Sequence, residues 1–300
     1  MATKEWRSHD GDLNNNANYS DGSPPAASGD KMWFLETTKD ITQNLNWSGK
    51  TFVQLLFGDG IIAKIGTPGA PLIIGGATEI RVNSPKTPGI ALKIDDGSGT
   101  GNVADFLVED VNTGPYALHL ASNAAAGDNI DNLQIQKAGG LTLSTIDITN
   151  INIAGVPRAT NVFIQSGAII ANLISVNANI ITEAVMTTLL KAVRSRVEWR
   201  GSSLTMPLLE LYNAVFVWNA KGSTLSQFKN FGGQIDGTSR EAKTVTNGEV
   251  WDGGTVNFDN GQNNLTVSNP IKNYGGYIFG TTSIDEIFAP FFPGGSGASL

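Results

Sequence analysis

The carboxylates are the residues of this chain whose chemistry is closest to catalysis. Polysaccharide cleavage uses two Asp or Glu side chains that face each other across a groove. Nothing in the spacing of the candidates shows which of them face each other, so surface carboxylates without a chemical role are the simpler interpretation. The sequence therefore predicts no catalytic residue and no enzyme. The candidates are Asp105, Glu109, Asp110, Glu198 and Glu210.

Metal and nucleophile chemistry have little basis in the sequence. The two histidines, His9 and His119, lie outside the HExxH and GxSxG motifs of metalloproteases and serine hydrolases. The chain has no cysteine, which excludes a disulfide framework, a thiolate nucleophile and a Cys-ligated zinc site. We expect no cofactor and no metal.

One group of oxygen ligands surrounds a Gly-rich turn and consists of Asp95, Asp96, Asn102 and Asp105. Ca²⁺ binds oxygen ligands at short spacing on flexible loops. The segment lacks the Glu of an EF-hand and the nonapeptide pattern of a calcium-binding β-roll. A plain exposed turn is therefore the preferred interpretation.

Charge and hydropathy limit the partners. The net charge is −7, and phosphate binding needs a basic surface, so we expect no nucleic-acid partner. No apolar stretch approaches the length of a membrane span, and Met1 is followed by polar residues rather than by the apolar core of a signal peptide. We expect synthesis in a host cytoplasm without export and no membrane partner.

The elements that carry these residues are predicted to be short strands. From Leu141 the apolar residues come in i, i+2 pairs separated by Asn and Gly, such as Leu141/Leu143 and Ile146/Ile148. The pairs follow each other too closely for a β-sandwich, whose turn signals recur every 8–12 residues or so. Apolar residues make up 40% of the chain and charged residues only 16%, which suits an elongated core. The sequence predicts an all-β parallel β-helix, or β-solenoid, with short capping segments.

Three local patterns bear on this prediction. In a solenoid, Asn side chains can stack into a hydrogen-bonded ladder and can also occupy left-handed corners. A brief period of five, from Leu141 to Val156, resembles a pentapeptide repeat but fails at Asn161. Residues 182–199 fit an amphipathic helix and a strand equally well. The Asn residues that recur at strand ends are Asn132, Asn150, Asn152, Asn161, Asn172, Asn177 and Asn179.

Four regions are predicted along the chain. Residues 1–30 are polar and rich in turn signals, and they are expected to form an extended arm. Residues 31–60 supply the first dense apolar cluster and are expected to cap the first coil. Residues 61–270 form the solenoid body, and residues 271–300 form an aromatic cap with a flexible Gly/Ser tail.

The opening segment TKEWRSHDGDLNNNANYSDGSPPAASGDKMWF resembles tailed-bacteriophage virion proteins of the capsid decoration or cement type. In that pattern an aromatic residue precedes a Gly/Asp turn, an Ala-Asn-Tyr sequence, a Gly-Pro turn, and Gly-Asp before an apolar strand. The match covers about a tenth of the chain. The matching residues are Trp6, Gly11, Asp12, Ala17, Asn18, Tyr19, Gly22, Pro24, Pro25, Gly29, Asp30 and Trp33.

The resemblance implies a homotrimeric β-helical protein on the capsid surface of the virion, with the major capsid protein as its partner. Residues expected to bind the capsid are Trp6, Tyr19, Pro24, Pro25, Trp33, Phe34 and Trp47. Residues expected to point outward and pack the trimer are Trp218, Phe231, Phe288, Phe291 and Phe292.

Two alternatives stay open. The first is a tailspike or fibre that binds or cleaves host surface polysaccharide, with outward Trp199, Trp218 and Trp251 stacking on sugar rings beside Glu198 and Glu210. A tailspike usually has a longer chain with a separate tail-binding domain, which favours the capsid role. The second is a bacterial surface adhesin, against which the missing export signal counts.

Overall fold

The structure is a computed structural model, and it is all-β. It describes residues 2–7, 10–25, 28–112, 117–123, 127–138, 140–154, 162–259, 264–281 and 283–286. These residues contain one 3₁₀ turn, Asn16–Asn18, and no α-helix. Their strands are β1 (Thr3–Glu5), β2 (Ser28–Thr37), β3 (Asn46–Ile61), β4 (Leu72–Ser84), β5 (Ile90–Ile94), β6 (Asn102–Val111), β7 (Leu118–Ser122), β8 (Asn129–Ile135), β9 (Leu141–Ser144), β10 (Asp147–Ala154), β11 (Val162–Ile164), β12 (Ile169–Val176), β13 (Asn179–Thr182), β14 (Val185–Val193), β15 (Arg196–Trp199), β16 (Thr205–Tyr212), β17 (Val215–Trp218), β18 (Ser223–Phe231), β19 (Gln234–Asp236), β20 (Lys243–Trp251), β21 (Thr255–Asn257), β22 (Leu265–Val267), β23 (Ile271–Tyr274), β24 (Tyr277–Phe279) and β25 (Ile284–Glu286).

The strands form two parallel ladders that run along the molecule. The long ladder contains β1 to β4, then β6 and every even-numbered strand to β20, and it ends with β22, β23 and β25. The short ladder begins on the first residues of β3, passes through the first residues of β4, and continues through β5, the odd-numbered strands from β7 to β21, and β24. Each coil of the chain adds a strand to each ladder, so neighbouring coils lie about 4.8 Å apart. The predicted parallel β-solenoid is confirmed.

The coils differ in length. One coil takes 27 residues from Asp105 to Asn132, the next takes 18 from Asn132 to Asn150, and the following one takes 22 from Asn150 to Asn172. A variable coil length explains why the sequence shows strand pairs but no sustained repeat period. The pentapeptide-like stretch therefore does not define the fold.

Sharp corners join the long ladder to the short ladder. A residue with positive φ lies within two positions of the end of each long-ladder strand from β12 to β20 and again after β23, and a small residue follows it. Asn and Gly tolerate this conformation best. The six corner residues are Asn177 (φ 52°), Arg194 (49°), Asn213 (50°), Gly232 (71°), Gly253 (73°) and Gly275 (93°).

The core runs through the centre of the coils as stacked columns of buried side chains. Trp199 and Trp218 occupy the same position in neighbouring coils, with ring centroids 5.8 Å apart. Phe228 faces Gly248 in the next coil, and a Cβ at residue 248 would lie 2.3 Å from the Phe228 ring. Large side chains therefore stack in some columns, and at Gly248 the absence of a side chain makes room for the neighbouring Phe228 ring.

The N-terminal segment is folded, and the prediction of an extended arm over residues 1–30 is wrong for the part that the structure describes. Strand β1 pairs with β2, and the backbone near residues 18–20 pairs with the free edge of β1: Arg7 N–H donates to Asn18 O (2.7 Å) and Ser20 N–H to Glu5 O (2.9 Å). The Trp6 ring packs edge-on against Tyr19 and also contacts Phe34. Residues 2–7 and 10–25 therefore form a cap that closes the first coil and protects a strand edge.

Residues 182–199 are strands, not a helix. The segment forms β14 and β15, with Met186, Leu190, Ala192 and Val197 buried in the core. A register shift inserts one extra residue into β14, so three residues that are not buried separate Met186 from Leu190. The resulting i, i+4 spacing of buried residues resembles a helical period.

Candidate functional site

Most of the residues expected to bind the capsid lie inside the molecule. Trp6, Tyr19, Phe34 and Trp47 are buried and pack on one another as the hydrophobic end of the core, and Pro25 is also buried. Burying these large rings stabilises the cap, which is why their position in a polar segment did not make them surface contacts. These five side chains are corrected from contact residues to cap residues.

Trp33 and Pro24 keep part of their surface exposed. The indole N–H of Trp33 donates to Gln54 Oε1 (3.0 Å), and Gln54 in turn donates to Glu79 Oε2 (2.8 Å). Trp33 therefore begins an axial chain of side-chain hydrogen bonds that ties the first three coils together.

A groove of about 490 Å³ opens beside the cap. Leu35 is 36% exposed on its wall and supplies apolar surface there. The groove also presents charged groups of both signs. Its lining residues are Glu5, Trp6, Arg7, Leu35, Glu36, Thr37 and Thr38.

The residues expected to pack a trimer differ in where the structure places them. Trp218 is 0% exposed and its indole N–H donates to Ser223 Oγ (2.7 Å), so the prediction that it points outward is wrong. Its place in the strand alternation puts it on the core side, opposite Val217. Phe231 does lie on the outer face, partly exposed. Phe288, Phe291 and Phe292 lie outside the described residues.

The carboxylates proposed for a glycan groove do not face each other. Glu198 lies on β15 of the short ladder, where it accepts from Arg200 Nε (2.7 Å) and Asn219 Nδ2 (3.0 Å). The hydrogen bond from Arg200 holds the pKa of Glu198 below its usual value. Glu210 lies on β16 of the long ladder with Lys191 Nζ at 3.8 Å. Trp199, expected to stack on a sugar from outside, is buried in the core.

The other candidate carboxylates also have hydrogen-bond or ion-pair partners within the protein. Asp110 pairs with Lys137 Nζ (2.6 Å), Glu109 has Arg81 Nη1 at 3.9 Å, and Asp105 accepts from Asn132 Nδ2 (3.3 Å). Each of these acids is thus oriented by a neighbouring protein group rather than by a second carboxylate across a groove.

In the Gly-rich turn considered for Ca²⁺, the Asp96 carboxylate accepts hydrogen bonds from the turn's own residues. Its Oδ1 accepts the backbone N–H groups of Ser98 and Gly99 (both 2.7 Å), and its Oδ2 accepts the Thr100 hydroxyl (2.5 Å). The Thr100 and Ser98 side chains keep the pKa of Asp96 well below its usual value. Within the part of the chain that the structure describes, no group of three or more His, Asp or Glu side chains is arranged to hold a metal.

Of the histidines, His119 lies on the outer side of β7 with its Nε2 2.9 Å from Ser144 Oγ. Burial lowers the pKa of His119, which favours the neutral imidazole. His9 lies outside the described residues.

An amide ladder runs along the outside of the long ladder. Asn150 Nδ2 donates to Asn132 Oδ1, and Asn172 Nδ2 donates to Asn150 Oδ1, both at 3.1 Å. The predicted stacking of Asn side chains is confirmed for these three residues, and Asn177 occupies a left-handed corner as expected.

Two further rows of side chains, a charge row and an aromatic row, lie on the same outer face nearer the C-terminal end. The sequence prediction did not include the charge row. The charge row alternates in sign through six neighbouring strands: Lys191, Glu210, Lys229, Glu249, Lys272 and Asp285. Two residues further along four of those strands lies the aromatic row: Tyr212, Phe231, Trp251 and Tyr274.

The charge row could not be found by spacing alone, because its members are separated by coils of unequal length. The signal that identifies it is the register of the strands. The alternation places every cation beside an anion in the next coil, which favours the parallel stacking of these strands.

Among the described residues, no helix has the length and apolarity that a membrane span requires. Comparison with family models, with curated proteins and with solved structures found no match to this chain.

Proposed function

We propose that this protein is a non-enzymatic structural protein of a tailed-phage virion, where it decorates and stabilises the capsid. The observation that carries the proposal is the chemistry of the outer surface, whose polar side chains pair with one another along the axis. The amide ladder and the Trp33–Gln54–Glu79 chain join consecutive coils from outside. Such pairing yields a stiff body, which is the property a capsid clamp needs.

The catalytic alternative has less support. Each of the five candidate carboxylates has a hydrogen-bond or ion-pair partner, and two of the three tryptophans assigned to sugar stacking are buried. The part of the proposal that concerns a phage capsid rests on the resemblance of residues 3–34 to virion proteins.

The surface best suited to the major capsid protein is the groove beside the cap. Its exposed Leu35 supplies apolar contact area, while Arg7 and Glu36 supply charges of both signs for orientation. Attachment would then use a rigid end face rather than an arm that orders on contact. The protein would be made in the host cytoplasm and added to the outside of the shell.

Immunogold labelling of the virions that carry this chain tests the location. We expect label distributed over the head. Label confined to the tail would overturn the capsid proposal in favour of a tailspike or fibre, and unlabelled particles would overturn a virion role altogether.

A binding assay tests the contact surface. We expect Leu35→Asp to weaken binding of the purified protein to capsids lacking it by at least about tenfold, since a charge replaces apolar contact area. Val185→Asp is the matched control, because Val185 is 39% exposed on a distant coil. Equal binding by both variants would rule out the groove as the contact.

A further inference from the structure

The alternating charges of the charge row are only partly paired within one chain. Its six members alternate in sign, and only the first pair, Lys191 and Glu210, forms an ion pair, at 3.8 Å. Lys229, Glu249, Lys272 and Asp285 have no ion-pair partner within 4.0 Å among the described residues. Four charges on one sheet face thus remain free to meet charges from outside.

The rows on either side of these charges have the composition of a protein interface. The aromatic row stacks with ring centroids 4.1–5.6 Å apart and turns its ring edges outward, and Trp251 is 36% exposed. On the opposite side lie the amides Gln227, Asn247 and Asn269 along a groove of about 310 Å³. Tyr, Trp and Phe are enriched at interface cores, and amides supply the hydrogen bonds around them.

We propose that this face binds a second copy of the chain in an isologous dimer with antiparallel solenoid axes. A two-fold axis parallel to the strands and midway between Lys229 and Glu249 reverses the order of the charge row. Reversal of an alternating row of six places every charge opposite its counter-charge. The pairs are Lys229 with Glu249, Glu210 with Lys272, and Lys191 with Asp285 of the second copy.

The same operation matches the flanking rows. Because the axis is parallel to the strands, each row meets its own copy: Phe231 meets Trp251 of the second copy, and Gln227 meets Asn247. The partly exposed ring edges of the aromatic row become buried against those of the second copy, and the amide side chains of the two copies face each other. The face is thus self-complementary in charge, apolar surface and hydrogen bonding.

The two-fold arrangement differs from the homotrimer that the resemblance implies. In a trimer whose axis is parallel to the solenoids, equivalent residues lie at equal heights, so this face near the axis would bring Lys beside Lys and Glu beside Glu. Like charges brought together oppose that assembly. The charge row therefore favours two copies over three.

The first test is mass and cross-linking of the full chain. We expect light scattering after gel filtration to give twice the 31.7 kDa of one chain, with dissociation at high salt. A zero-length carboxyl–amine cross-link should join Lys191 to Asp285. Within one chain these residues are five strand spacings apart, about 24 Å, which is beyond the reach of that reagent.

Charge exchange separates contacts between chains from those within a chain. We expect Lys229→Glu and Glu249→Lys, each alone, to raise the dimer dissociation constant at least tenfold. The double variant should restore the dimer, because the exchanged charges again face each other across the axis. Within one chain the double variant has as many like-charge neighbours as either single one, so recovery cannot come from the row itself.

Lys86→Glu, an exposed site on a distant coil, is the control and should leave the dimer intact. Circular dichroism melts check that all variants fold. The proposal would be overturned if the protein were a monomer at every concentration or a trimer. It would also be overturned if neither single exchange changed the dimer dissociation constant. A double variant that stays monomeric would overturn it as well.

Discussion

At the scale of single residues, Asp128 is a carboxyl group in an unfavourable environment. It is fully buried; its Oδ1 accepts the Gly101 N–H (2.6 Å), whereas its Oδ2 has no partner among the described residues. Burial raises the pKa of this carboxyl, and the negative charges of Asp96 and Asp95 add to the shift. An acid whose pKa is higher in the folded state favours folding only when protonated. Its contribution is therefore present below the unfolded pKa and is lost as pH rises through the folded pKa.

Asp128→Asn should accordingly stabilise the protein. The amide keeps an acceptor for Gly101, removes the buried charge, and offers an N–H to the neighbouring Asp96 carboxylate. We expect the free energy of unfolding at pH 7 to rise by about 1 kcal/mol, and the gain to vanish near pH 3 as the natural carboxyl becomes protonated. Urea unfolding at several pH values measures it. Asp59→Asn, at an exposed site, should change little at any pH; a loss of stability in Asp128→Asn would show that the carboxylate is needed.

At the scale of the element, the corner after β18 is fastened by a buried amide. Asn230 Nδ2 donates to Gly233 O and Thr255 O (both 3.0 Å), and its Oδ1 accepts the Gly233 N–H (2.9 Å). Asn273 bonds Gly276 in the same way at the corner after β23. One side chain thus satisfies backbone groups that the turn removes from the ladder.

Asn230→Asp removes the amide N–H donors of residue 230 while keeping the size and shape of its side chain. The carboxylate would face two carbonyl oxygens without a proton to share, so we expect a loss of about 2–4 kcal/mol of unfolding free energy at pH 7. Lowering the pH should restore part of it, since a protonated Asp regains one donor. Asn152→Asp adds the same charge at an exposed position and should cost less than about 0.5 kcal/mol. Similar melting temperatures for both variants would contradict the role assigned to Asn230.

The strands were largely predictable because their apolar alternation depends on neighbours in the sequence, whereas of the six corner residues only Asn177 was predicted. The i, i+2 pairs such as Leu141/Leu143 face the core as expected. The cap was not predictable, because Trp6 and Tyr19 are isolated among polar residues and become buried only through contacts with Phe34, many residues away. The outward placement of Trp218 failed for a related reason, since in VFVW both alternate sets are apolar and either set could have faced the core. The charge row escaped detection because coil length varies, so its members have no constant spacing in the sequence.

At the scale of the whole molecule, each coil contacts chiefly the coils before and after it, because neighbouring strands of each ladder pair in sequence order. Stability in such a stack is a sum of local terms, so damage at one end stays near that end. The cap is the boundary of this stack: Trp6 covers Phe34, which in turn stacks on Phe57 with centroids 5.3 Å apart. Removing the outermost ring exposes the next one.

Trp6→Ala should therefore unfold the N-terminal coils without melting the rest. Truncating a buried tryptophan costs about 3–5 kcal/mol, and this loss exceeds what one terminal coil can offset by its contacts with a single neighbour. We expect hydrogen exchange to accelerate in β1 to β3 and to stay slow in β16 to β20. Phe163→Ala, which truncates a ring that is 36% exposed, should leave both regions protected. Uniform acceleration along the chain after Trp6→Ala would mean that the solenoid unfolds as one cooperative unit, and then the cap would control the stability of every coil rather than that of its own end.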